Sequence, residues 1–167
     1  VTEPVAFAAG AEISPDGETS SVVSVRPDGR KWRVDLVYYG PPEALVEEAA
    51  RVYRLPDCLG AFADPLSCAP LLDNLKLNMA MTLLEAKDVA AADYEFRLAA
   101  RKKLIVAGEH PALEAAVIYA QGRTLANVFS FERRKAAVDM SPLRAASFAY
   151  WGLCQYSATA EPGAWWV

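Results

Sequence analysis

Histidine is nearly missing from this 167-residue chain: His110 is the only one. A site built from several histidines is excluded, and a catalytic triad or a histidine-based metal centre would have to use that residue. Cysteine is sparse too. Cys58, Cys68 and Cys154 are odd in number and form no CxxC pair, so neither a disulfide framework nor a zinc site is expected, although Cys58 and Cys68 flank a loop and would be able to bridge in an oxidising compartment. No apolar run approaches the roughly eighteen residues of a membrane span. The start, VTEPVAFAAG, lacks a basic stretch and carries an acid at Glu3, so no signal peptide is visible. Also missing are a GxSxG nucleophile setting, a glycine-rich phosphate cradle and an ExxH pair of the di-iron kind. No catalytic residue, metal site or cofactor is therefore expected.

Hydrophobic residues make up 53% of the chain and charged residues 23%, a balance that suits one globular domain over residues 1–167. The net charge of −4 gives nucleic acid no obvious purchase, so other protein subunits are the expected partners. Two basic clusters, Arg101-Lys102-Lys103 and Arg133-Arg134-Lys135, would make an anion-binding patch if they met. Each also lies near an expected helix end, where cations complement the helix dipole.

The clearest local motif is a β-hairpin. Ser21–Arg26 and Lys31–Tyr39 are β-rich and flank Pro27-Asp28-Gly29-Arg30, a strong turn signal. A helix follows from about Pro42 to Arg54. The stretch Leu71–Ala86 contains no Gly or Pro and carries Leu72, Leu75, Met79 and Leu83 at helical spacing, so it is expected to be the central helix. Further helices are expected from about Asp88 to Gly108, from Pro111 to about Val138, and from Pro142 to Tyr156. The fold class expected is α+β and predominantly helical. An N-terminal hairpin or small antiparallel sheet (1–40) precedes about five packed helices (41–157), with an aromatic tail (158–167).

Two sets of residues stand out as candidate sites. On the central helix Asn74, Asn78, Thr82 and Glu85 form a polar seam, which is either a solvent face or, together with His110, the lining of a ligand pocket. On the last helix Arg144 is the only charge, while Phe148 and Trp151 give apolar surface; with Trp165 and Trp166 they read as an interface. Glu85, Asp93 and Glu95 are carboxylates able to do acid–base work, but at that density on helices they read as surface. The function expected is a non-catalytic structural or interaction subunit of a larger assembly, such as a virion or multi-subunit complex. The alternative is a small-molecule-binding domain or enzyme with a pocket beside the polar seam.

Overall fold

β1 (Phe7–Ile13) is the strand on which the layers of this molecule meet. Its sequence, FAAGAEI, pairs small side chains with burial on both faces, as a strand with helices above and below requires. In the computed structural model, which describes residues 5–125 and 128–159, β1 lies inside a six-stranded mixed sheet of order β5-β4-β1-β2-β3-β6. β2 (Ser20–Asp28) and β3 (Lys31–Gly40) follow as an antiparallel pair closed by Gly29 at φ +60°, a left-handed conformation that glycine takes without strain. β4 (Cys58–Ala63) runs parallel to β1 on its other side, and β5 (Met81–Leu83) extends that edge in parallel. β6 (Ile105–Ala107) pairs in parallel with β3.

Helices cover both faces. α1 (Leu45–Tyr53) and α2 (Leu72–Asn78) pack on one, where Leu45, Ala49, Val52 and Leu75 meet Ala9, Ala11, Ile13 and Ala61. α3 (Ala86–Arg101), α4 (Pro111–Ile118) and α5 (Ser141–Thr159) cover the other, where Phe96, Leu113, Phe148 and Leu153 meet Ala8, Val23, Val34 and Phe62. A two-stranded ribbon, β7 (Gly122–Leu125) with β8 (Val128–Phe131), lies beside α3.

α5 sits directly on β1, β2 and β4. Two features let it do so. Gly10 has no side chain, and a Cβ there would stand 1.9 Å from the Ala145 carbonyl oxygen. At the helix start, Asp139 Oδ1 accepts from the Ser141 amide at 2.8 Å, and Ser141 Oγ lies 2.7 Å from Ser21 Oγ on β2. The N-terminal turn of α5 is thus fixed to the sheet.

The architecture corrects the expected fold class. The chain is not predominantly helical, and the β2–β3 hairpin is not part of a small N-terminal antiparallel sheet: with β1 it forms the middle of a six-stranded mixed sheet that β4, β5 and β6 complete from later in the chain. The expected central helix is also corrected. Leu71–Ala86 divides into a helix ending at Asn78, an extended Met79, and strand β5. The helix preference of Leu and Met is a weak bias that tertiary context overrides, and pairing Met81–Leu83 with Ala61–Ala63 satisfies backbone groups that a helix would have satisfied internally. The expected Pro111–Val138 helix likewise stops at Ile118 and gives way to β7 and β8. Gly122 makes room for the Phe129 ring, 2.0 Å from where a Cβ would be. Among the described residues no helix is long and apolar enough to cross a membrane.

Candidate functional site

β1 and β4 are parallel neighbours, and their C-terminal ends each deliver a carboxylate. Alternation along β1 puts Ala8, Gly10 and Glu12 on the α5 face, so Glu12 points beneath that helix with 1% of its surface exposed. Asp64 follows the last residue of β4, its Oδ1 accepting from the Leu66 amide at 2.9 Å. A third carboxylate, Asp93, comes from α3 and is fully buried. Asp93 Oδ1 accepts from Ser147 Oγ at 2.8 Å. Its Oδ2 accepts from Ser130 Oγ at 2.9 Å and the Phe131 amide at 3.2 Å.

These three acids surround one guanidinium. Arg144, on the first turns of α5 and 4% exposed, donates Nη1 to Asp93 at 3.1 Å and Nη2 to Asp64 at 3.2 Å, while its Nε lies 3.8 Å from Glu12. Nε has no hydrogen-bond partner among the described residues. Arg133, from the segment after β8, donates to the same Glu12 Oε1, and Ser67 Oγ donates to Glu12 Oε2 at 2.5 Å. Among the described residues the cluster therefore holds three carboxylates and two guanidiniums, an excess of one negative charge when all are ionised.

That excess falls on Glu12. Burial pushes the Glu12 carboxyl up to about 7, against the opposing pull of Arg144 and Arg133. The folded state then holds a proton that the unfolded chain releases at ordinary carboxylate pH. Stability contributed by this group is intact below about pH 4.5 and is lost as pH rises to 7, by about 3 kcal/mol. Glu12→Gln removes that loss. The stability difference between the natural chain and Glu12→Gln, measured by urea unfolding from pH 5 to pH 8, is expected to move by about that amount in favour of the variant. A difference that does not change with pH would refute the buried-proton account. The same physics acts on the thiols: all three cysteines are free, burial raises each, and for Cys68 burial, reinforced by Glu12, pushes it up to about 12.

Above the cluster lies a cleft of about 830 Å³. Asp64, Ser130 and Arg144 line its floor, and Glu85, Lys87, Arg133 and Arg134 contribute to its walls. A second hollow of about 380 Å³, reaching from Ser14 to Pro70, shares Leu66, Arg133 and Arg134 with it. The site thus sits at the carboxyl ends of parallel strands, where open α/β sheets present their ligand sites.

The residues expected from sequence are dispersed. Asn74 and Asn78 are exposed on α2, where Asn78 Nδ2 donates to the Asn74 carbonyl at 2.8 Å; Thr82 is exposed on β5. Glu85 alone of that set lines the cleft, paired with Lys87 at 3.1 Å. His110 caps α4, its Nδ1 accepting from the Ala112 amide at 3.1 Å. Phe148 is buried in the core beneath Arg144, whose Cζ stands 5.0 Å from its ring centre, and Trp151 packs edge-on to Phe62. Trp165 and Trp166 lie outside the described residues. Sequence reasoning missed Glu12 and Asp64 as a site, named Arg133 only within a basic cluster, and placed Asp93 on the surface, where the structure buries it fully. The available signal was a lone charge in an otherwise apolar element: Glu12 in β1 and Arg144 in α5.

The fold is a mixed α/β one, and it is shared with solved structures. More particularly, the solved structures it resembles are large terminases. The HK97 bacteriophage large terminase matches over 91% of this chain and 40% of its own, at a TM-score of 0.72 and 12% identity. The large terminase nuclease from thermophilic phage G20c matches over 89% of this chain and 83% of its own, at 0.66 and 10%. The same nuclease with bound magnesium matches over 89% and 82%, at 0.58 and 10%. The chain spans about two fifths of the HK97 protein. No family model and no curated protein sequence matches it.

These likenesses overturn two expectations from the sequence. The neighbours are nuclease domains, which does not fit a non-catalytic structural or interaction subunit, and the enzyme alternative accords with them better. Nucleic acid as an unlikely partner also falls, because nucleases act on it. Whole-chain charge was the wrong guide: a net −4 is compatible with cations gathered on one rim.

The magnesium of the G20c nuclease raises the question of whether this site suits a divalent cation. It does not. The carboxylate oxygens of Glu12, Asp64 and Asp93 that face the centre are taken by Arg144 and Arg133, and no group of three or more acidic, histidine or cysteine side chains among the described residues is arranged to hold a metal.

Proposed function

We propose that this chain is a large-terminase-type nuclease domain that takes the sugar–phosphate backbone of nucleic acid into the cleft above Glu12, Asp64 and Arg144. The observation that carries the reading is the buried acid–guanidinium cluster at the carboxyl ends of β1 and β4, in a fold shared with terminase nucleases. Arg134 and Lys87 on the walls supply charge for phosphate oxygens, and Arg133 bridges the two hollows. Asp64 is the buried carboxylate that lines the cleft, with a side chain 12% exposed, and is placed to hydrogen-bond a water at the bound phosphodiester. Hydrolysis there would form a bond from that water's oxygen to phosphorus and break a phosphorus–oxygen ester bond.

The test reads binding and cleavage separately. Single- and double-stranded DNA are titrated with the chain at several salt concentrations. Arg134→Ala with Lys87→Ala is expected to flatten the slope of log affinity against log salt by about 2, one for each lost phosphate contact. Asp64→Asn is expected to leave DNA binding in place and to remove strand cleavage. No affinity for DNA at low salt, or an unchanged slope in the double variant, would sink the proposal.

A further inference from the structure

We infer that Arg144 stands in the place between the carboxylates that a divalent cation would need, so that this site meets a phosphodiester with guanidinium groups and without a metal ion. The inference rests on reading the cleft as a phosphodiester site, and it concerns what that site uses for positive charge.

Three elements far apart in sequence bring acids to one point: β1 with Glu12, the end of β4 with Asp64, and α3 with Asp93. Such convergence has an electrostatic cost that a cation must offset, because buried carboxylates at close range repel one another. In this chain the cation is covalently part of α5. Arg144 reaches two of the acids at hydrogen-bonding distance and the third at 3.8 Å. Magnesium would need near-octahedral oxygen ligands at about 2.0–2.1 Å. The oxygens available already accept from guanidinium, serine hydroxyl and backbone donors.

Nor can Arg144 step aside easily. A guanidinium does not lose its proton in proteins, so the positive charge cannot be titrated away. Its guanidinium carbon stands 5.0 Å from the centre of the Phe148 ring, and α5 is held against β1 at Gly10, with the Ala145 carbonyl where a glycine Cβ would be. Withdrawal would leave Asp93 fully buried with only neutral partners. Charge counting agrees: a dication added to a cluster already carrying both arginines turns an excess of one negative charge into one positive. Arg144 also lines the cleft floor, with its Nε buried on the side of Glu12. It can therefore neutralise the acids beneath while facing the ligand above.

The experiment titrates divalent manganese, followed by its electron-paramagnetic-resonance signal, into the natural chain, Arg144→Gln, Arg144→Lys and Asp64→Asn. DNA binding is measured in parallel in EDTA and in magnesium at matched ionic strength. The natural chain is expected to show no stoichiometric manganese site at millimolar metal and the same DNA affinity in both buffers. Arg144→Gln is expected to gain one site and a metal-dependent rise in Tm of several degrees that the natural chain lacks. Should Arg144→Gln fail to fold without metal, refolding on addition of manganese counts as the gain, and Arg144→Lys, which keeps one charge but loses the fork, is expected to be intermediate. A stoichiometric manganese site in the natural chain that disappears in Asp64→Asn overturns the inference, as does a folded Arg144→Gln that binds none. Loss of DNA binding in both buffers would instead refute the functional reading, and the manganese result would stand apart from it.

Discussion

Gly10→Ala is expected to be among the most damaging single changes in this chain, although it adds one methyl group. The new Cβ would sit 1.9 Å from the Ala145 carbonyl oxygen, 2.8 Å from its carbon and 3.1 Å from the Ala149 amide nitrogen. All three are backbone atoms of α5, so no side-chain rotation relieves the overlap. The helix must move away from β1, and it is held on both sides of the contact by buried neighbours such as Leu143 and Leu153. Overpacking of a filled core costs about 1–3 kcal/mol and more when backbone must shift; a loss of about 3 kcal/mol or greater is expected here. For a chain of this length that lowers Tm by about 10 °C. The same displacement carries Arg144 away from Glu12, so the pH dependence of stability should change along with its magnitude. A Gly10→Ala variant as stable as the natural chain would mean that α5 does not sit where the structure puts it.

Asp93→Ala is the second large effect. Asp93 lies on α3, yet its carboxylate is the acceptor for Ser147 of α5, for Ser130 and the Phe131 amide of β8, and for Arg144. Removing it leaves two hydroxyls, a backbone amide and a buried guanidinium short of a partner. Breaking a buried ion pair from one side costs about 3–5 kcal/mol, because the remaining charge stays desolvated. Asp93→Asn keeps the shape and one acceptor oxygen, and a smaller loss is expected. Urea unfolding at constant m-value measures both; a cost for Asp93→Ala below about 1 kcal/mol would show that the cluster does not hold α3 to α5. Exchange of the β8 amides should rise in the same variants, since the Phe131 amide is bonded to Asp93.

How much of this was readable beforehand depended on whether the signal was local. The turn at Pro27–Arg30 and the Ser141-Pro142 helix start each depend on residues next to one another. The Leu71–Ala86 stretch failed because its helical spacing also fits a short helix followed by an edge strand, and only the exposed edge of β4 decides between them. The Pro111–Val138 stretch failed for a similar reason. Gly122 there admits the ring of Phe129 across a strand pair, and that pairing forms only in the folded chain.

The site was less legible than the fold. Glu12 and Arg144 were visible as isolated charges in apolar segments, but 132 positions separate them, and Asp64 comes from a third segment. Nothing local indicates that such charges converge.

By itself the sequence determined the hairpin turn, the apolar content that demands a core, the scarcity of histidine and cysteine that removes whole classes of chemistry, and the single charge on the last helix. The tertiary structure decided that the hairpin would be completed into a six-stranded mixed sheet, that α5 would rest on Gly10, and that three distant acids would share one arginine. The reason is physical: turns and caps are set by torsional preferences over a few residues, whereas strand pairing and buried ion clusters gain their free energy only when remote segments have already come together.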